Sequence, residues 1–416
     1  MVRKLWIRSF GMAAAFALLA GTAHAGDALF SAIDSDLYGK ALSLDESFAA
    51  LANDPASASI RLVDANLDVV NEKAASLKLN LGPGLDLVAH RVDSYDMKTG
   101  SLVWSGVIED LGATAVPFAP GSLQFDPVNS VMLVKNNGTI TGNVHFGGDW
   151  YQIRPLKTGG HAIVAVNMAA MPPDHPAEYA TLPRIPMPAR RAANEKADTV
   201  IRVMVNYTSS AASASGNISA LIDLAVAESN QGYTNSGVLI DLILANKSQV
   251  TYTQSGSFST DLSRYRGTSD GYMDSIHTTR NSVTADVALL VINNSSSCGL
   301  ASGIGSSAST AFAAAHWSCI TGYYSFAHEI GHLQSARHDP ATDGSTSPYS
   351  YGHGYRYLGS PDWRTIMAYD CPGGCPRLNY WSSPLRTYNG QPMGTASQSD
   401  NARVLNNTRN TVAAFR

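Results

Sequence analysis

The chain has 416 residues, of which 44% are hydrophobic and 15% are charged, and its formal net charge is -4 at pH 7. This length exceeds one ordinary domain, so two or three globular domains are expected. The weak negative charge and the lack of a visible basic stripe argue against nucleic acid as a partner.

The first 25 residues have the parts of a bacterial-type export signal. Basic side chains occur within the first eight residues, residues 12–19 form an apolar run, and 23–25 (Ala-His-Ala) match the small-x-small cleavage pattern. A retained membrane anchor is the alternative, but the apolar run is too short to span a bilayer comfortably. We therefore expect a signal peptide over 1–25 and a secreted, extracellular protein that does not bind the membrane.

The next part of the chain changes from a helix-like to a strand-like pattern. Residues 26 to about 75 are rich in Ala and Leu. Residues 78–168 instead show the alternating pattern of strands, separated by turn signals such as Asn136-Asn137-Gly138. This predicts an antiparallel meander, and we place a β-rich module at 76–170. The proline-rich connector that follows, 171–191, should be extended and without regular structure, since proline fixes φ and lacks an N–H donor.

From residue 198 onward, strand-like and helix-like segments alternate. Helices are predicted at 218–230 and in the later part of 261–282, and the predicted strands are 200–206, 238–245 continued at 250–253, 286–292 and a short edge strand at 311–317. Loops should follow residue 338, until a last helix near 399–414. This alternation predicts an α/β sandwich.

The most informative motif is His328-Glu-Ile-Gly-His332, followed six residues later by His338. On a helix, His328 and His332 lie one turn apart on the same face, so both imidazoles can reach one metal ion. His338 can join them only if the helix ends and the chain turns back. Three histidines leave zinc an open position for water, and Glu329 is placed to act as general base of a zinc hydrolase. An amphipathic helix that merely carries histidines is the alternative.

All four cysteines lie in the last third of the chain. An even number in an exported protein favours disulfides, for which three pairings are possible. The simplest joins Cys298 to Cys319 and Cys371 to Cys375, since glycines between the latter two allow a tight turn. A four-cysteine zinc site competes with this interpretation, but the histidine cluster is the better metal site.

With these histidines and the later segment Thr365-Ile-Met-Ala-Tyr369, the chain resembles the metzincin metallopeptidases. The stretches 328–339, 349–355 and 366–384 look most like the secreted bacterial peptidyl-Asp metalloendopeptidases of the endoproteinase Asp-N type. The resemblance implies an α/β (α+β) catalytic domain with a twisted mixed sheet, an active-site helix and a loop-rich C-terminal subdomain. The preceding β-rich segment resembles a peptidase propeptide more loosely.

The resemblance assigns two more residues and reveals one departure. Met367 matches the methionine turn beneath the zinc. Tyr369 matches a tyrosine that approaches the zinc in some metzincins, where a phenol could stabilise an oxyanion. The family glycine three residues after the second histidine is Ser335 here. A helix ending there needs a left-handed residue, so serine costs roughly 1 kcal/mol or the turn is built differently.

The resemblance further implies a zinc endopeptidase that cleaves proteins and peptides mainly on the N-terminal side of Asp. A substrate carboxylate requires a cationic pocket, and a guanidinium suits it best. Arg377, after the methionine turn, is the first candidate, with Arg364 and Arg386 in reserve. A metzincin of other specificity would lack this pocket. A noncatalytic binding protein would have lost Glu329 or a histidine, and an inhibitor or adhesin built on the β-rich module is a further alternative.

We expect an inactive, monomeric precursor with a propeptide over 26–197 and a catalytic domain over 198–416; the alternative is a plain linker between two permanent domains. The propeptide contains no cysteine. Direct blocking of the zinc would therefore need an imidazole or a carboxylate, and Asp174 and His175 in the connector are the candidates. Maturation is expected at Ala197-Asp198 by self-cleavage, or after Arg190-Arg191 by a trypsin-like partner. Whether calcium is bound is left open.

Overall fold

The computed structural model describes residues 28–109, 125–187 and 197–416. A nine-stranded sheet lies in the N-terminal half and a five-stranded sheet in the C-terminal half. The expected signal peptide over 1–25 and the dibasic pair Arg190-Arg191 lie outside the described residues. Within the described ranges, none of the helices combines the length and the apolar character needed to cross a membrane.

The N-terminal sheet is antiparallel throughout, with the order β1-β2-β9-β8-β7-β6-β5-β4-β3. Its strands are β1 (Phe30–Ala32), β2 (Ser57–Ala65), β3 (Ser76–Gly82), β4 (Leu85–Asp96), β5 (Leu102–Ile108), β6 (Ser130–Asn136), β7 (Thr139–Phe146), β8 (Asp149–Pro155) and β9 (His161–Val166). From β3 to β9 each strand pairs with the next in sequence, as expected for the meander predicted at 78–168.

The predicted start of the β-rich module at residue 76 is too late. Only α1 (Ser35–Leu44) and α2 (Glu46–Ala52) are α-helical in the segment predicted as helix-like, and each begins at an aspartate that accepts hydrogen bonds from N–H groups of its first turn. Strands β1 and β2 already belong to the sheet. Strand β2 pairs with β9, about a hundred residues later, and such long-range pairing overrides a local Ala- and Leu-rich pattern.

The connector runs along the C-terminal half. Over its described residues, 171–187, it is mostly extended, but a short 3₁₀ helix spans Ala177–Thr181, so the prediction that it has no regular structure is wrong there. Proline is compatible with the start of a helix, where its missing N–H is not needed, and Pro176 precedes this turn. The main chain of the connector is held by hydrogen bonds from the N–H groups of Cys298, Gly299 and Ile304 to carbonyls of the connector, at 2.8 to 3.0 Å.

The C-terminal half is a mixed five-stranded sheet with the order β11-β10-β12-β14-β13, in which only β13 is antiparallel to its neighbour. Its elements up to the motif helix are β10 (Thr199–Tyr207), α3 (Ser209–Ala214), α4 (Ile218–Ser236), β11 (Ile240–Gln249), α5 (Phe258–Arg266), α6 (Ile276–Ser282), β12 (Val287–Ile292), β13 (Gly299–Ala301), β14 (Phe312–His316) and α7 (Ser325–Leu333). This confirms the predicted α/β class.

Two predictions in this half are wrong, and one helix was missed. Strand β14 is not at the edge, because the three-residue β13, too short for a periodic signal, pairs outside it. No strand continues at 250–253. The helix predicted in the later part of 261–282 is α6, and α5 before it was not predicted. The apolar run of β12 behaves as predicted. Its alternate residues pack into two different hydrophobic clusters, one on each face of the sheet.

After α7 the chain is loop-rich, with the short strands β15 (Arg356–Tyr357), β16 (Trp363–Arg364), β17 (Ser383–Tyr388) and β18 (Gln391–Met393) before α8 (Asn401–Val412). This fits the predicted loop-rich subdomain and final helix. Disulfides join Cys298 to Cys319 and Cys371 to Cys375, which is the pairing expected as the simplest. The first of them braces β13 against the loop before α7.

Helix α4 lies between the two halves. It packs against α7 and β11 on the C-terminal side and against β6 and β7 on the N-terminal side. Its residues Ala220, Leu224 and Ala227 form one cluster with apolar side chains of the N-terminal sheet. Helix α7 is buried along its whole length, so the motif histidines lie in the interior of the molecule.

Candidate metal centre

The end of helix α7 brings the third histidine back to the first two. Ser335 has φ of +77°, and its N–H donates to the carbonyl of His332 at 2.9 Å, while the N–H of Ala336 donates to Gly331 at 2.9 Å. The serine thus adopts the left-handed conformation that glycine provides in the related motif. The chain reverses here, and His338 faces the helix that it has just left.

Four histidine Nε2 atoms converge on one point. The Nε2 atom of His338 lies 3.1 Å from that of His328 and 3.1 Å from that of His332. The fourth comes from the connector, since the Nε2 atom of His175 is 3.0 Å from that of His328 and 3.1 Å from that of His332. All four ligand atoms lie within 4.8 Å of one another.

The other ring nitrogen fixes the tautomer of three of these histidines. The Nδ1–H groups of His328, His332 and His175 donate to the carbonyls of Ile366 (2.9 Å), Ala336 (2.8 Å) and Gly299 (2.9 Å). A carbonyl can only accept, so each Nδ1 carries the proton and each neutral ring directs a lone pair from Nε2.

Burial keeps the histidines of the cluster neutral. It lowers the pKa of His328, His332 and His338 well below the usual value, and it lowers the pKa of His175 to about 4. Facing lone pairs at this separation repel each other unless a cation lies between them. Tetrahedral zinc with Zn–N bonds of about 2.0–2.1 Å needs nitrogens about 3.3 Å apart, so the donor type, number and spacing fit zinc.

The carboxylate of Glu329 lies beside this cluster and against Gly299, where any larger residue would occupy its space. A Cβ atom at Gly299 would lie 2.3 Å from Glu329 Oε1. Burial, assisted by the charge of Asp174, raises the pKa of Glu329 well above the usual value. Its Oε2 atom has no hydrogen-bond partner among the described residues. A buried carboxylate with one uncommitted oxygen is well suited to take up and release a proton.

The segment around Met367 supports the cluster from the other side. Met367 is fully buried, and its Sδ atom lies against Gly331 of α7. The ring of Tyr369 is 4.5 Å from that of His338, between centroids. The N–H of Tyr369 donates to Asp339 Oδ2 at 3.1 Å, so Asp339 joins the third histidine to this turn.

Two of the three predicted arginines meet at one aspartate. Both oxygens of Asp174 accept from Arg377 Nη2, at 2.8 and 2.7 Å, and Arg364 Nη1 is 3.8 Å from Asp174 Oδ2. Burial alone would raise the pKa of Asp174, but the charges of Arg377 and Arg364 outweigh it and hold that pKa well below the usual range. Arg386 is exposed and lies against Gly237 at the end of α4, apart from this group.

Tyr179 belongs to the site although no sequence motif indicated it. Its ring stacks on His338 with centroids 4.1 Å apart and on His175 at 4.8 Å. Its hydroxyl donates to Asp343 Oδ2 at 3.1 Å, and Arg184 donates to the same oxygen at 3.1 Å. The connector is therefore anchored on both sides of the four-histidine cluster. With 18 tyrosines in the chain and no motif around this one, no signal could have singled it out.

Comparison with known proteins identifies the family. Residues 197–382 match Metallo-peptidase family M12. The chain is 52% identical over 367 residues to a peptidyl-Asp metalloendopeptidase of Xanthomonas campestris pv. campestris, covering 87% of this chain and 86% of the relative. The chain belongs to the peptidyl-Asp metalloendopeptidase family. This membership confirms the predicted family and enzyme class, a metalloendopeptidase with zinc as its cofactor, acting on proteins and peptides.

Two more relatives of the same name extend the comparison. One, from Stenotrophomonas maltophilia, is 49% identical over 421 residues, which covers 98% of this chain and 99% of the relative. Another, from Pseudomonas fragi, is 53% identical over 189 residues, which covers 45% of this chain and the whole relative. The similarity to the Stenotrophomonas relative therefore includes the N-terminal sheet and the connector.

Because Ser335 has a positive φ, we expect Ser335→Gly to raise the free energy of unfolding by up to about 1 kcal/mol. The measurement is equilibrium denaturation of the zinc-loaded Glu329→Gln precursor, a background chosen to limit self-cleavage. Ser335→Ala is the matched control, since it removes the hydroxyl but keeps the strained Cβ. Equal gains from both variants would assign the effect to the buried hydroxyl and not to the backbone.

Proposed function

We propose that this enzyme hydrolyses peptide bonds preferentially on the N-terminal side of Asp. The observation that carries the proposal is an aspartate side chain at the metal centre, since Asp174 lies against Arg377 at 2.7 and 2.8 Å. A buried guanidinium left without an anion would be costly, so this position selects a carboxylate. Relatives at 49% to 53% identity are named for peptidyl-Asp cleavage.

For the active enzyme, we propose His328, His332 and His338 as the zinc ligands. Zinc bound there supplies Lewis acidity at the scissile carbonyl and lowers the pKa of water. Glu329 takes a proton from the attacking water and later delivers it to the leaving amine. Tyr369, which packs on His338, stabilises the charge that develops on the carbonyl oxygen. Met367 packs beneath and has no chemical step.

We further propose that residues 26–197 form a propeptide, after a signal peptide at 1–25, and that 198–416 form the secreted catalytic domain. His175 lies where a fourth donor competes with water, and Asp174 lies where a substrate aspartate would bind. Both are only 7% exposed, which supports a blocked site in the precursor. The two disulfides are consistent with export.

Maturation at Ala197-Asp198 is part of the same proposal. The connector occupies the site in the precursor, so the bond before Asp198 cannot lie there at the same time. Self-processing then has to occur between two molecules or after the connector has left. Cleavage after Arg190-Arg191 by another protease is the second possibility, and N-terminal sequencing of the mature enzyme distinguishes the two.

We expect about one zinc ion per chain and loss of activity on chelation. Glu329→Gln removes the proton acceptor but none of the proposed ligands, so zinc content should persist while turnover falls by a factor of at least about 10² to 10⁴. Metal analysis together with hydrolysis of an Asp-containing peptide measures both quantities. Full activity of Glu329→Gln, or activity that survives verified zinc removal, would contradict the mechanism.

Replacement of Arg377 by Ala should lower kcat/KM for an Asp peptide on the order of 10²-fold, because it leaves the substrate carboxylate without its charged partner. Zinc content should not change. Arg386→Ala is the matched control and should behave like the wild-type enzyme, as its side chain is exposed and apart from the site. If peptide mapping finds cleavage before large apolar residues, the enzyme has a different specificity.

His175→Ala in the full precursor should raise the activity of the intact chain, because it frees the position that the imidazole fills. Asp174→Asn should also raise it, by weakening the contact with Arg377. Glu178→Gln, in the same connector but exposed, is the control and should leave the precursor inactive. Peptide hydrolysis is measured while mass spectrometry shows that the chain remains uncleaved. A wild-type precursor as active as the mature enzyme would end the latency proposal.

A further inference from the structure

One tyrosine contacts both arginines of the carboxylate site. Tyr323 lies in the loop before α7 and is 6% exposed. We propose that Tyr323 is a positioning residue that fixes Arg377 and Arg364 as one rigid pocket and thereby sets the preference for Asp over Glu. This inference rests on the proposed Asp specificity and concerns residues of the same site.

Arg377 is fixed on three sides. Its guanidinium carbon lies 4.1 Å from the centre of the Tyr323 ring, its Nη1 donates to the Tyr323 carbonyl at 3.1 Å, and its Nη2 donates to the Ala368 carbonyl at 3.1 Å. A cation on an aromatic face is attracted by the ring, and more strongly so in a buried site. With these contacts made, Nη2 is also the atom that faces the carboxylate of Asp174.

Arg364 is fully buried behind this contact and shares the same supports. Its Nη2 donates to the Tyr323 hydroxyl at 3.3 Å, and its Nη1 donates to the Ala368 carbonyl at 3.2 Å. Its Nη1 is 3.8 Å from Asp174 Oδ2, too far for a hydrogen bond but close enough for its charge to act. Arg364 therefore adds positive charge to the pocket without bonding the carboxylate directly.

Two neighbouring guanidinium groups repel each other, so the pocket needs groups that hold them in place. Asp370 supplies a partial counter-charge, 3.6 Å from Arg364 Nε. The remaining supports are the Ala368 carbonyl and the ring, hydroxyl and carbonyl of Tyr323. Loss of the ring would leave Arg377 with fewer restraints and let it move away from Arg364.

Rigidity of these arginines decides the length of side chain that fits. The carbonyl of Asp174 accepts from the N–H of Gly299 at 3.0 Å, so the main chain is fixed while its carboxylate meets Arg377. A glutamate in the same frame carries its carboxylate one methylene further and needs Arg377 to retreat. If Tyr323 prevents that movement, Glu is rejected; a mobile Arg377 accepts both.

The test compares kcat/KM for two peptides that differ only in Asp or Glu after the scissile bond, using active, zinc-loaded enzyme. Tyr323→Leu, which removes ring and hydroxyl, should reduce the Asp-to-Glu ratio on the order of tenfold. Tyr323→Phe keeps the ring over Arg377 and loses only the bond to Arg364, so its ratio should lie between those of the wild type and Tyr323→Leu. Tyr324→Phe is the matched control and should keep the wild-type ratio, since the hydroxyl of Tyr324 contacts His145 of the proposed propeptide and bonds neither arginine.

The ratio separates positioning from general damage, because a misfolded fraction lowers both rates equally and leaves the ratio unchanged. An unchanged ratio in both Tyr323 variants, with Asp preferred by the wild type and lost in Arg377→Ala, overturns this inference and leaves the proposed function intact. A wild-type enzyme without preference for Asp overturns the proposed function itself. A smaller ratio in Tyr323→Leu, with an intermediate value for Tyr323→Phe, supports the inference.

Discussion

The metal centre depends on neutral imidazoles whose Nε2 lone pairs face one another in the interior. Three different segments hold them by accepting from Nδ1: the turn before Met367 for His328, the reversed chain after α7 for His332, and β13 for His175. All three carbonyls lie outside helix α7. The four-histidine arrangement therefore exists only when the helix, the edge strand and the methionine turn are packed together.

The methionine turn joins the metal cluster to the carboxylate pocket. Within the four residues 366–369, the Ile366 carbonyl accepts from His328, the Ala368 carbonyl accepts from both arginines, and the Tyr369 N–H donates to Asp339. A shift of this short segment would move His328 and the two arginines together. In the proposed mechanism, this one piece of backbone therefore sets the distance between the reacting carbonyl and the substrate carboxylate.

In the proposed precursor, the N-terminal half makes further contacts with the C-terminal half, besides those of the two connector residues. Arg154 donates to the hydroxyl of Thr321 at 3.1 Å. Asn143 donates to Glu228 of α4 at 2.6 Å, and the other carboxylate oxygen of Glu228 accepts from the N–H of Gly322 at 2.8 Å. A Cβ atom at Gly322 would lie 2.3 Å from the Trp150 ring, so the loop before α7 fits closely against the sheet. The sheet thus holds the loop that carries Tyr323, while the connector fills the site that this loop borders.

The sequence by itself determined what local spacing determines: the pair of histidines one helical turn apart, the buried strand β12 and the β-meander. The family resemblance added that Ser335 is either left-handed or part of a different turn. The sequence analysis also named Arg377, Asp174 and His175. Arg377 was one of three candidate arginines, and Asp174 and His175 were two candidates for blocking the zinc, and spacing could not decide among them. Only the tertiary structure showed that His175 lies in the histidine cluster and that Asp174 contacts the arginines. It also showed that Arg386 is exposed and that β13 is the edge strand. The physical reason is that these assignments depend on contacts between segments far apart in the chain, whose packing and charge pairing leave no periodic pattern in the sequence.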